Sequence, residues 1–245
     1  MYPKIISLVV SYEPSNKYVE LVIQELAKVS NVILFTTEEH SYHVYDTVYF
    51  SKSIGLDLAY EPRKWIVDHI QDEWDYVLYN EDDIFIPKQS IDTVINLYNN
   101  LPSELVPGFI RYEVDNDVKR YIDMHPGHAI HRSGYGSVKQ VDTVRSIWEP
   151  WNIHSGNWLL SKSYVLNLIQ NNRFDTYFKQ FNPQYGNCSQ LESCATSVYQ
   201  NYTKVYPIDF ESVECWHMPN KYITMLNVKN GNPTTNELKQ LIYAS

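Results

Sequence analysis

The chain opens on Ile5-Ile6-Ser7-Leu8-Val9-Val10, a nearly continuous apolar run of the kind buried on both faces of a parallel sheet. Ser11-Tyr12-Glu13-Pro14 ends it, and Val19, Val22, Ile23, Leu26 and Ala27 then recur at helical spacing, predicting a helix over about 17–29. Val32-Ile33-Leu34-Phe35 reads as a second strand, and Val44 to Phe50 alternates as a short third. A helix near 61–71 follows, with Pro62 tolerated in its first turn and Trp65, Ile66, His69 and Ile70 on its inner face. His69 reads there as a packing residue. The next run, Tyr76-Val77-Leu78-Tyr79-Asn80, breaks into Glu81-Asp82-Asp83 and resumes as Ile84-Phe85-Ile86. Ser90 is placed to cap a helix over about 91–100, in which Ile91, Val94, Ile95 and Tyr98 share a face.

The pattern changes after residue 100. Phe109 to Val114 predicts a strand that pairs with Val118 to Met124 across Asp115-Asn116-Asp117. His125 to Ser137 holds three histidines and three glycines without periodicity, a candidate lid in which Arg132 is placed for a phosphate. Trp151 to Leu160 reads as a strand, with a helix starting at Ser161 or Ser163. Ser189-Gln190-Leu191-Glu192 matches a capping box ahead of Ala195, Val198 and Tyr199. Lys204 to Ile208 is a late strand, and Glu214 to Asn220 leads into a polar C-terminus. The β-α-β alternation predicts an α/β fold: a mixed, mostly parallel central sheet flanked by helices. Without linker composition or repeats, 1–245 reads as one domain, with a nucleotide-binding half at 1–100 and an acceptor half at 101–245.

Charge narrows the function classes. The net charge of −9, without a dense Lys/Arg run, argues against binding nucleic acid or an anionic membrane by field alone. No apolar stretch reaches the length of a membrane span. Three cysteines and an N-terminus that enters a strand directly lead us to expect a cytoplasmic protein. Neither GxGxxG nor a Walker A motif occurs. The 21 tyrosines and 6 tryptophans suit stacking on sugars or bases, and they also suit a core.

Glu81-Asp82-Asp83 is the centre of this picture. Three adjacent carboxylates between two buried runs repel one another and lose hydration, so something must compensate them. Water at a surface turn would do so, and so would a divalent cation, which takes oxygen ligands of this kind.

The order of these parts resembles a GT-A glycosyltransferase over nearly the whole chain. A β-α-β half leads to the acidic motif (the family's Asp-x-Asp), then to Ser155-Gly156-Asn157-Trp158, a carboxylate opening a late helix, and a late His. Pro107 to Glu113 and His217-Met218-Pro219-Asn220 are also similar to viral enzymes of the chlorella-virus type. The resemblance implies transfer of a sugar from a nucleotide-diphosphate sugar, UDP-linked foremost, to a glycan or other hydroxyl acceptor, with inversion preferred and Mn²⁺ or Mg²⁺ as cofactor. Glu81 departs from the family's Asp. The implied metal ligands are Asp83 and His217, with Glu81 or Asp82 meeting the ribose.

Ser11, Tyr12 and Glu13 are then expected around the nucleoside, with Tyr12 stacking on the base. Arg63 is a candidate for the diphosphate, Asn157 and Trp158 for the sugar pocket, and Trp151 for the acceptor. The catalytic base is expected at Glu192, or else Asp209 or Glu211, although a capping-box Glu bonds backbone N–H and need do nothing else. His217 equally fits a packing role between Trp216 and Met218. A rival zinc set groups Cys188, Cys194, Cys215 and His217, with spacings unlike a common finger. A sugar nucleotidyltransferase or a catalytically inactive carbohydrate-binding scaffold are the alternative functions; the former would want a Gly-rich phosphate loop after the first strand.

Overall fold

The computed structural model describes residues 2–12, 17–37, 46–122, 136–142, 146–150, 154, 156–174, 190–199 and 202–223 and 232–243, the side chains of Gln190 and Glu192 excepted. Its packing divides the chain into two compact units: residues 1–84 with 156–198, and residues 85–155 with 199–245. The segment after residue 155 returns to pair with the N-terminal sheet.

The first unit is α/β with a mostly parallel central sheet, as the apolar pattern predicts. Its strands are β1 (Ile5–Ser11), β2 (Asn31–Thr36), β3 (Asp46–Tyr49) and β4 (Tyr76–Glu81), with β11 (Asn157–Ser161) from later in the chain. The order is β11-β4-β1-β2-β3; β1 pairs in parallel with both β2 and β4, β2 with β3, and β11 runs antiparallel to β4. Leu8, Val9, Val10, Leu34, Leu78 and Tyr79 are almost wholly shielded from solvent, as strands covered on both faces require. The helices are α1 (Val19–Leu26), α2 (Glu61–Asp68), α4 (Lys162–Gln170) and α5 (Gln190–Thr196). Pro62 stands in the first turn of α2, and Ser161 caps α4 by accepting from the Tyr164 N–H at 3.3 Å. His69 closes α2 with its ring stacked 3.9 Å from that of Trp65, a packing role.

The second unit carries two four-stranded sheets, ordered β6-β12-β10-β9 and β5-β13-β7-β8. These strands are β5 (Ile84–Phe85), β6 (Leu105–Pro107), β7 (Ile110–Asp115), β8 (Val118–Tyr121), β9 (Gly136–Gln140), β10 (Ser146–Pro150), β12 (Thr203–Pro207) and β13 (Glu214–His217). The β7–β8 hairpin turns through Asn116 and Asp117, both at positive φ (49° and 64°), the geometry two-residue hairpins demand. Trp148, Tyr206, Phe210 and Tyr121 fill the interior.

Strands β6, β9, β10 and β13 are not in the sequence reading, and two helices also differ from it. Helix α3 (Lys88–Tyr98) starts after Pro87, whose extended backbone ends the preceding run. Ser90 is therefore inside the helix, and its hydroxyl donates to the Glu214 carbonyl at 2.8 Å instead of capping. The polar C-terminus contains helix α6 (Thr235–Tyr243), opened by a reciprocal capping box. The Thr234 N–H donates to Glu237 at 2.8 Å, and the Glu237 N–H returns to Thr234 Oγ1 at 3.4 Å.

Arg63 ties three segments of the first unit together. Only 1% exposed, it donates to the Phe174 carbonyl (3.3 Å), the Cys194 carbonyl near the end of α5 (2.6 Å) and Ser197 Oγ (2.8 Å). At the Cys194 carbonyl, late in α5, the cation meets the negative end of the helix dipole. Arg63→Met keeps bulk but strands these acceptors, and we expect it to cost roughly 3 kcal/mol in equilibrium urea unfolding. A loss within experimental error of zero would show that the guanidinium contributes only volume.

Candidate active site

In the first unit the chain runs outward from β1 through β2 to β3, then returns to place β4 on the opposite side of β1. The carboxyl ends of β1 and β4 therefore flank the point where strand order reverses, the place at which open α/β sheets take ligands. Ser11 ends β1, Glu81 ends β4, and Asp82 and Asp83 form the turn that follows.

Neighbours hold Asn80, Glu81 and Asp82 around this acidic turn. Ser11 Oγ donates to Asp82 Oδ2 at 2.6 Å, with Ser11 wholly buried and Asp82 only 8% exposed. The Asp82 N–H donates to the Val10 carbonyl and the Glu81 N–H to the Gly156 carbonyl, both at 3.2 Å. Asn80, also fully buried, donates from Nδ2 to the Ile84 carbonyl at 2.7 Å and so closes the turn from within. Glu81 and Asp83 are partly exposed. The arrangement presents hard carboxylate oxygens on a fixed backbone, the donor chemistry that Mg²⁺ and Mn²⁺ prefer.

Gly156 explains a feature that the sequence shows without a reason. Its φ is +66°, and a Cβ there would lie 2.5 Å from Ile84 Cδ1 and 2.9 Å from Glu81 Oε2. Only glycine gives both the left-handed backbone and room for the Glu81 carboxylate. Tyr12 stands beside the acids. Burial, and after it the charge of Glu81, raises its phenol well above the usual tyrosine range, so it stays a neutral ring.

The other expected site residues are distributed differently. Asn157 and Trp158 are fully buried on β11, where Asn157 is in register with Asn80 and Trp158 stacks on Tyr79 at 5.3 Å. Trp158 is thus a core side chain. Arg63 is neither a surface residue nor open to a diphosphate, because its guanidinium serves the interior contacts given above. Glu192 lies on α5, which Cys194 also anchors by donating from Sγ to the Ala59 carbonyl at 3.0 Å; burial raises that thiol above its ordinary range. The Glu192 side chain, Glu13, Arg132, Trp151, Cys188, Ser189 and most of the expected lid lie outside the described residues. His217 belongs to the second unit, at the end of β13. Asp209 and Glu211 are exposed there, and Glu211 is ion-paired with Lys239. Among the described residues no three His, Cys, Asp or Glu side chains gather as a metal-holding group, and no helix is long and apolar enough to cross a membrane. Sequence reasoning did not single out Asn80 or the role of Gly156; the Ser-Gly-Asn-Trp string was the available signal.

No protein-family model matches the chain, and no curated protein matches it in sequence. Solved structures do align with it. One is a protein described as a glucose-1-phosphate thymidylyltransferase from Bacillus anthracis, in complex with sucrose: 10% identity, TM-score 0.42, covering 82% of this chain and 85% of that one. A glycosyltransferase involved in glycosylation of the major capsid of PBCV-1 gives 10% identity and TM-score 0.33, over 74% and 72%. A mannose-1-phosphate geranyltransferase from Thermus thermophilus gives 10% identity and TM-score 0.44, over 81% and 68%. At such identities and scores these likenesses carry no argument about activity.

Gly156→Ala places a non-glycine residue at positive φ against Ile84 and Glu81. We expect a loss of about 1–3 kcal/mol in chemical unfolding. Wild-type stability in that variant would show that the close approach is dispensable.

Proposed function

We propose that this protein is a metal-dependent glycosyltransferase that uses a nucleotide-diphosphate sugar, UDP-linked foremost, and transfers the sugar to a hydroxyl acceptor with inversion. One observation carries the reading: an acidic turn pinned at the carboxyl ends of β1 and β4, where the strand order reverses. In a chain of net charge −9, a diphosphate is accommodated beside carboxylates only if a cation lies between them.

The roles follow from placement. Asp82 is spent on Ser11, and its burial makes it the member that fixes the turn. Glu81 and Asp83, two apart and partly exposed, are the proposed functional pair. Asp83 is the proposed direct ligand of the cation, and Glu81 the partner of the ribose. When bound, Mn²⁺ or Mg²⁺ supplies Lewis-acid stabilisation of the departing nucleoside diphosphate. Tyr12, kept neutral beside the acids, offers its ring to the base. Glu192 is the proposed base that takes the acceptor proton, and Arg63 and Cys194 set the helix that bears it.

A thermal-shift screen of nucleotide sugars with and without Mn²⁺ tests this. We expect one nucleotide class to stabilise the protein only with metal, by about 2.7 kcal/mol at a hundredfold excess over Kd. Asp83→Ala should abolish that shift and the Mn²⁺-stimulated donor hydrolysis. No shift with any donor would overturn the reading. Pyrophosphate release from a nucleoside triphosphate and a sugar 1-phosphate would replace it with nucleotidyl transfer.

A further inference from the structure

In the second unit, the segment that opens α6 lies along β8. Arg120 and Thr234 form an antiparallel bridge, and the Tyr121 N–H donates to the Pro233 carbonyl at 3.0 Å. Arg120 Nη1 donates to the Asn232 carbonyl at 3.2 Å, and Thr235 Oγ1 meets the Tyr121 hydroxyl at 3.3 Å. With the capping box of Thr234 and Glu237, the polar groups of this segment pair one after another. The side chain of Asn232 is the exception. It is only 2% exposed, yet neither Nδ2 nor Oδ1 meets a hydrogen-bonding partner among the described residues. Arg120 Nε is a buried donor in the same condition, with Asp115 Oδ2 3.6 Å away, beyond hydrogen-bond reach.

A carboxamide has two N–H donors and an acceptor oxygen, and burying them without replacement costs the desolvation of each. Leucine would occupy much the same space without that cost. If the task were only to pack the start of α6 against β8, an apolar side chain would serve better. The unmet groups also define what would satisfy them. An anion would accept from Arg120 Nε and Asn232 Nδ2, but it would leave Oδ1 unmet. It would also stand near Asp115 and the buried Glu113, which lies opposite Arg120 in the sheet. A cation would meet Oδ1 and be repelled by the guanidinium. A hydroxyl accepts and donates from one oxygen, so adjacent hydroxyls on one ring can meet the Asn232 oxygen and nitrogen together.

We infer that Asn232, with Arg120 beside it, is a recognition site for the hydroxyls of a neutral carbohydrate. The site lies wholly within the second unit, and the inference does not need the transferase reading.

The probes that test it are methyl glycosides of neutral hexoses and pentoses, added to ¹⁵N-labelled protein. At least one should move the Asn232 side-chain NH₂ resonances saturably and without dependence on salt. Asn232→Leu should keep its urea midpoint and bind that glycoside about tenfold more weakly or worse. NH₂ resonances that stay in place with every glycoside overturn the inference, as does a response to glucose 1-phosphate but to no neutral glycoside. So does an Asn232→Leu variant that binds the glycoside as the parent does. Should Asn232→Leu fail to fold, the wild-type resonances still decide. No nucleotide enters these measurements, so a silent Asn232 removes this site and leaves the transferase reading to its own test.

Discussion

A carboxylate can be buried at the end of a parallel strand only if a donor meets it there, and in the first unit that donor is Ser11. Its 2.6 Å hydrogen bond to Asp82 joins the carboxyl ends of β1 and β4. The register on either side of it is continuous, from Ile5 opposite Tyr76 to Val10 opposite Glu81. With the middle acid held, the two flanking acids have a fixed backbone from which to act. Asn80 serves the same end from the other direction: its side chain takes the Ile84 carbonyl, so the chain cannot leave the turn by another path. A charge-assisted bond of this kind contributes on the order of 1.5–3 kcal/mol. Its larger effect is geometric.

The second unit treats its buried acids by the same rule. Glu214 receives the Tyr121 hydroxyl and the Lys119 ammonium, while Glu113 receives His217 and two main-chain N–H groups. The difference lies in what is spent. Glu214 is met by side chains whose other ends are structural, with Tyr121 packed edge-on against Phe210. Glu113 is met by an imidazole and by the main chain of the turn that follows it.

Strands β1, β2 and β4 were legible because each is buried on both faces, so its sequence is a plain apolar run and needs no partner to be recognised, whereas the half-exposed β3 was read from its alternation. The acidic turn was legible for the converse reason, since three carboxylates interrupt such a run. Helix α6 was not, although Thr234 and Glu237 have capping-box spacing; its polar surroundings concealed it. Trp158 and Arg63 show another limit. Their residue types fit a sugar pocket and a phosphate, and periodicity cannot distinguish a functional ring or guanidinium from a buried one. Tyr79 beneath Trp158, and three acceptors around Arg63, settle their placement through contacts distant in sequence. The Glu113–His217 pair, 104 residues apart, was invisible for the same reason.

The length of the first acid is matched by Gly156: the Glu81 carboxylate lies where a Cβ on residue 156 would approach to 2.9 Å. A glutamate at 81 and a side chain at 156 compete for one volume. The chain resolves the competition in favour of the longer acid, and the glycine's left-handed backbone delivers Asn157 into register opposite Asn80. Shortening Glu81 would leave the glycine's space unfilled, and filling residue 156 would displace the acid, so the acidic turn needs the segment that returns from beyond residue 155 as much as the strand that bears it.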